Sequence, residues 1–178
     1  RNRRRCAPMA DDPEVTREFL PGDSPRQAAL FGVQQEQETS DDYYTPAWMF
    51  EAMGLEFDVD VCAPPSGIPW VPCRRFFTKA EDGLSQPWEG RVWMNPPYSQ
   101  PTPWVRRFIA HGHGVSLTPF SKANWFHELW NAADALVAPG VRGSHFVGGA
   151  ISYPVVLAAF GEECVAGISR LGVVRRAA

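Results

Sequence analysis

From residue 41 onward the apolar positions follow two rhythms, one with the period of a helix and one with that of a strand. In "TPAWMFEAMG", Trp48, Met49, Ala52 and Met53 fall on one helical face. Thr45 reads as the N-cap, Pro46 as the first helical residue and Gly54 as the stop. "EFDVDVCAPP" switches to alternation, with Phe57, Val59 and Val61 set against Asp58 and Asp60 until two prolines close the strand. A short "RRFFT" strand, an "EDGL" turn and an "RVWM" strand follow. The helical rhythm returns in "PTPWVRRFIAHGHG": Thr102 caps, Pro103 opens, and Trp104, Val105, Phe108 and Ile109 line a face as far as Gly112. "GVSLTPF" is the next strand, "SKANWFHELWNAA" the next helix and "DALVAP" the strand after it. A last β run, "SYPVVLAAFG", reads as a hairpin addition. The order β-α-β-α-β with short connections predicts an α/β fold around a mostly parallel sheet.

Residues 1–40 keep neither rhythm. Rich in Arg, Asp, Glu, Gln and Pro, they are expected to be largely disordered or loosely packed, with the opening "RNRRR" a solvated tail. The remainder, 41–178, is long enough for one domain with its own core. A net charge of −3 excludes a protein held on nucleic acid by overall charge, but leaves room for a local basic face. No run approaches the roughly 18 apolar residues of a membrane helix, and no apolar stretch follows the basic start as in a secretory signal. A cytoplasmic protein away from membranes is expected. Cys6, Cys62, Cys73 and Cys164 show neither CxxC nor zinc-like spacing and read as free thiols in a reducing compartment. The four histidines have no partners at metal-ligand spacing, so no metal is expected; Ser99 has no His-Asp frame for a nucleophilic triad.

Chemistry gathers at the strand ends. Asp60 with Cys62, then Asp82, then Asn95-Pro96-Pro97-Tyr98, then Thr118-Pro119-Phe120 all stand where strands finish. Ligands of open parallel sheets bind beyond those carboxyl ends. Two consecutive prolines stiffen a turn and offer no backbone donors. The Asn95 amide oxygen and the Pro96 carbonyl can then face outward as fixed acceptors. A planar exocyclic amine such as that of adenine has two N–H donors for such a pair. Acceptors held out of the ring plane favour its pyramidal, attacking form, which is preferential binding of the transition state. Tyr98 can stack on the ring, worth about 1–3 kcal/mol per base. Taken alone, the tetrapeptide reads equally well as a plain turn. Trp125, Phe126 and Trp130 have helix-face spacing and read as core, and His127 as a packing or capping residue. Arg106, Arg107 and Lys122 flank the cleft edge, where phosphate contacts and a solvated helix face are equally consistent with them.

From Asp42 to Gly161 the chain resembles the phage-type DNA N6-adenine methyltransferases, a branch of the S-adenosyl-L-methionine-dependent class I enzymes. The pieces that carry the resemblance are "DYYTPAWMFEAMG", "FDVDVCAPP", "FFTKAEDGLSQPWEGRVWMNPPYS", "VSLTPFSKANWFHELWNAADALV" and "YPVVLAAFG". It implies a somewhat reduced Rossmann-like methyltransferase domain over 41–178, with helices on both faces of the sheet. It further implies S-adenosyl-L-methionine as cofactor, double-stranded DNA as partner and a phage or prophage setting, within or outside a restriction-modification system. Asn95, Pro96, Pro97 and Tyr98 match the family's catalytic loop. Thr45, Pro46, Asp60, Cys62, Asp82 and Leu84, together with Asn95, match cofactor-binding positions. Tyr98, Ser99, Arg106, Arg107 and Lys122 are the candidate DNA contacts. The sequence departs from the family in lacking a G-x-G turn, which "CAPPSG" replaces, and in having no separate target-recognition insertion. A catalytically weak DNA-binding module, and methylation of N4-cytosine or protein glutamine, are the alternatives. A monomer is favoured.

Overall fold

The computed structural model describes residues 44–139, 145–146, 149–150 and 154–176, all within one compact unit, Glu38–Ala178. The expectation for residues 1–40 therefore lies outside the described residues. The chain runs α1 (Ala47–Met53), β1 (Phe57–Ala63), β2 (Cys73–Thr78), β3 (Val92–Met94), α2 (Pro101–His111), β4 (Gly114–Pro119), α3 (Asn124–Ala132) and β5 (Ala135–Pro139). It continues through β6 (His145–Phe146), β7 (Gly149–Ala150), β8 (Val155–Phe160), α4 (Glu162–Ile168) and β9 (Gly172–Arg176).

Seven strands form one sheet in the order β2-β1-β3-β4-β8-β5-β9. β1 pairs parallel with both β2 and β3, and β3 parallel with β4. β8 enters antiparallel between β4 and β5, so β5 keeps the direction of β4; β9 is antiparallel on the far edge. Strands β1 to β5 thus all point one way, the mostly parallel arrangement expected. β6 and β7 form a separate two-stranded ribbon.

Helices cover both faces. Phe50 and Met53 of α1 and Cys164, Val165 and Ile168 of α4 pack with Trp93, Leu117 and Leu157. Val105 and Phe108 of α2 and Trp125, Phe126 and Leu129 of α3 pack with Val92, Met94 and Ala158 on the other side. The pleat of β3 explains the split: alternate side chains go to opposite faces. Trp93 is the largest fully buried side chain, and its ring meets Phe50 at 4.8 Å edge-on and Phe57 at 5.6 Å. Such aromatic pairs add about 0.5–1.5 kcal/mol beyond their buried area. They fix the strand that ends at Asn95.

The element boundaries differ slightly from those expected. Pro46, at φ −72° and ψ 150°, is itself the cap residue of α1, one position later than a Thr45 cap would set it. α2 begins at Pro101 behind Gln100, two residues earlier than a Thr102 cap would set it. Gly54 and Gly112 close their helices in the left-handed conformation, where a side chain would be strained. The link from β1 to parallel β2, residues 64–72, holds no helix. The last β run does not extend an edge as an added hairpin would; it is a fully buried strand flanked on both sides. α4 and β9 were not anticipated.

Candidate active site

After β1 the chain moves outward to β2, then crosses back to β3 on the opposite side of β1. That reversal makes the carboxyl ends of β1 and β3 the switch point of the sheet, where connections diverge and leave a crevice. Asp60 lies level with Trp93 in the parallel register, so Cys62, in the last turn of the pleat of β1, and Asn95, just past the end of β3, each follow two residues after that pair.

Asp60 is only 3% exposed, and its Oδ1 accepts the Cys62 N–H at 3.0 Å. Burial pushes its carboxyl from 3.8 up to about 7, against the smaller opposing effect of that hydrogen bond. No basic side chain among the described residues is among the causes of the shift. Burial, and then the Asp60 charge, push the Cys62 thiol well up and raise the Cys73 thiol. Both thiols stay protonated, which removes them as nucleophiles.

The Asp82 turn is seated on the end of β1. A Cβ on Gly83 would come within 2.1 Å of the Val61 carbonyl oxygen, so only glycine allows this approach. Asp82 itself is exposed and holds φ 52°, a left-handed conformation that Asp tolerates better than most residues. Its carbonyl accepts from Ser85 N at 2.8 Å and Ser85 Oγ at 2.9 Å. Trp88 Nε1 donates to the Gly83 carbonyl at 2.8 Å, folding Leu84 into the loop.

At the β3 end, Asn95 and Pro97 are partly buried, Pro96 buried, Tyr98 partly buried and Ser99 exposed. Asn95 Nδ2 approaches Thr45 Oγ1 at 3.5 Å, a long contact, and its amide oxygen is buried in this structure instead of facing outward as expected. Thr45, 1% exposed, is held in turn by Trp70, whose Nε1 donates to the Thr45 carbonyl at 2.8 Å. Sequence reasoning missed Trp70; its place in a Pro- and Gly-rich stretch without periodicity gave no sign of a tether.

Beside the loop opens a groove of about 590 Å³, lined by Tyr98, Ser99, Thr102, Phe120, Ser121 and Trp125 among others. Phe120 is 52% exposed there, its ring 4.9 Å from Phe126. Trp125 is both core, as expected, and groove wall. Exposed Lys122 follows groove-lining Ser121, and His127 is exposed on α3 instead of packed. Arg106 forms a two-pronged pair with Glu128, Nε and one terminal nitrogen each 2.9 Å from a carboxylate oxygen. Arg107 points elsewhere, donating to the carbonyls of Leu84 and Gln86 with its guanidinium 4.9 Å above Trp88. Asp60, Cys62 and the Gly83 turn thus stand toward the carboxyl end of β1, Thr45 and Asn95 meet beyond β3, and Tyr98, Ser99 and Ser121 line the groove, with Lys122 next in the chain.

No group of His, Cys, Asp and Glu suited to a metal occurs among the described residues, and no described helix is long and apolar enough to cross a membrane. Residues 32–138 match the family model described as DNA N-6-adenine-methyltransferase (Dam). Over 71 residues the chain is 38% identical to the DNA N-6-adenine-methyltransferase of Haemophilus phage HP1 (strain HP1c1). That stretch is 37% of this chain and 39% of the phage protein, so the chain spans well under half of that relative's length.

Proposed function

The chain belongs to the DNA N-6-adenine-methyltransferase (Dam) family, and from that membership we propose that it transfers a methyl group from S-adenosyl-L-methionine to the N6 amine of adenine in double-stranded DNA. The observation that carries the proposal is the position of Asn95 at the switch point, held by Thr45 and just past the strand that pairs with the one carrying Asp60 and Cys62. A site-specific adenine enzyme needs those two features adjacent, one for the cofactor and one for the amine.

The residues fit the cofactor. Asp60 is a buried carboxyl whose ionisation is opposed by burial and supported by one backbone N–H, and a cationic ligand supplies the missing counter-charge. Gly83, where a Cβ would fill the space against Val61, lets the Asp82–Leu84 turn form a close wall. Asp60, Cys62, Asp82 and Leu84 would hold S-adenosyl-L-methionine, with Thr45 and Pro46 closing the side next to Asn95. When bound, it supplies an electrophilic methyl group on a sulfonium.

Asn95 and the Pro96 carbonyl accept the two N–H groups of the target amine and stabilise its pyramidal form. Pro97 stiffens the turn that holds them. The amine's proton becomes acidic only as the new bond forms and leaves to solvent, so no ionised general base is required. Tyr98 takes the face of a base flipped from the duplex, an extrusion that costs a few kcal/mol. Ser99 and Lys122 border the groove and contact the DNA backbone there, and Arg106 joins them by exchanging Glu128 for phosphate.

The test is chemical. The protein is incubated with methyl-labelled S-adenosyl-L-methionine and unmethylated duplex DNA, and the DNA is digested to nucleosides. Label in N6-methyladenine supports the proposal. Label in N4-methylcytosine, label in protein only, or DNA binding without label assigns the site to another amine or to a binding module.

A further inference from the structure

We infer that Arg107 is a positioning residue for the cofactor wall rather than a contact to DNA, an inference that rests on the function proposed above. α2 leaves the Asn95–Tyr98 loop and carries Trp104, Arg107 and His111 at the i, i+3, i+7 spacing of one helical face. All three meet the loop that bears Asp82 and Leu84. Trp104 stacks on Trp88 at 6.4 Å, and His111 meets the same indole edge-on at 5.9 Å. Arg107 lies over the indole at 4.9 Å and donates to two carbonyls of the loop, those of Leu84 and Gln86.

The planar fork of arginine suits this double attachment, two carbonyls and one ring face from a single side chain. The loop has other ties, some internal, Trp88 to Gly83, Ser85 to Asp82 and Gln86 to Glu81, and some to β2, where Thr78 donates to Glu81 and Arg75 reaches the Pro87 carbonyl and Glu89. These hold the two ends of the loop, and Arg107 is the side chain that reaches the Leu84 carbonyl between them. Gly83 sets its height on β1, and Arg107 fixes the flank that carries Leu84. The helix that begins just after the catalytic loop thereby holds the wall of the neighbouring cofactor site. Arg106, one residue earlier, turns to Glu128 on α3 and takes no part in this contact.

Two variants test it. Arg107→Met keeps the stem over Trp88 and removes the donors; Arg107→Lys restores charge and part of the donor set. Affinity for S-adenosyl-L-methionine is measured calorimetrically below the unfolding range of each variant, beside DNA affinity as a function of salt. Loss of one or two net hydrogen bonds to the wall is expected to weaken cofactor binding about tenfold in Arg107→Met, with partial rescue in Arg107→Lys. The KM for cofactor should rise while kcat and the salt slope for DNA hold. Unchanged cofactor affinity with only a lower melting temperature would overturn the inference and leave Arg107 a stabilising residue. A smaller DNA salt slope with unchanged cofactor affinity would overturn it in favour of a phosphate contact. Failure of the unsubstituted protein itself to bind S-adenosyl-L-methionine would instead overturn the reading on which the inference rests.

Discussion

Replacing Asp60 with Asn separates the stability of this fold from its function. The Asp60 carboxyl is pushed from 3.8 to about 7, first by burial. For an acid, that direction means the ionised form is unfavourable in the folded state. Between about pH 4 and pH 7 the native chain holds more protons at this position than the unfolded chain does. Stability of the cofactor-free protein therefore falls as pH climbs through that window and levels off above about pH 7. A rise of about three units corresponds to roughly 4 kcal/mol in full, of which roughly 2–3 kcal/mol is lost between pH 5 and pH 8. Asn keeps an oxygen to accept the Cys62 N–H and does not titrate. Urea unfolding of both proteins without cofactor should therefore show Asp60→Asn gaining on the wild type by that amount between pH 5 and pH 8. Comparing the two proteins cancels titrations elsewhere. The same variant should bind S-adenosyl-L-methionine more weakly at pH 8, having lost the carboxylate that balances a cationic ligand. A difference in stability that does not change with pH would refute the reasoning, because Asp60 would then be ionised at pH 5 as readily as in water.

Gly83→Ala places a Cβ 2.1 Å from a backbone oxygen that cannot rotate away; overpacking of this kind typically costs about 1–3 kcal/mol, and cofactor affinity, measured by calorimetry, should drop with it. Tyr98→Phe should leave turnover near wild type, whereas Tyr98→Ala should lose the stacking contact and raise the KM for DNA, read from steady-state kinetics. Lys122→Ala should weaken binding to all DNA sequences similarly and flatten the salt dependence, measured by titration across a salt series; an unaltered slope would put the DNA backbone elsewhere.

The elements with strong periodicity were legible in the sequence. Phe57, Val59 and Val61 announced β1, and the stripe from Trp104 to Ile109 announced α2, because each face is buried and local pattern agrees with tertiary packing. Helix starts were less so, since prolines at 46, 101 and 103 each fit several cap positions. α4 and β9 went unread, although Cys164, Val165 and Ile168 carry a helical spacing that would have flagged the helix. The insertion of β8 between β4 and β5 could not be read locally, because strand order depends on long-range pairing. For the site, Asn95–Tyr98 and Asp60 stood out through residue type at strand ends. Trp70, Gly83 and the inward turn of Arg107 did not, as each acts through a contact with a distant part of the chain.

The central claim is that Asn95 acts on the amine as it becomes a nucleophile and contributes little to holding the cofactor. Single-turnover methylation by Asn95→Ala, with S-adenosyl-L-methionine affinity measured on the same preparation, tests it most directly. Removal of one preorganised partner of a transition state typically costs about 10²–10³ in rate. The expected result is a loss of that size with cofactor affinity unchanged, and partial activity in Asn95→Asp, which retains an acceptor. Methylation at the wild-type rate by Asn95→Ala would contradict the account and reduce the Asn95–Tyr98 segment to a structural turn.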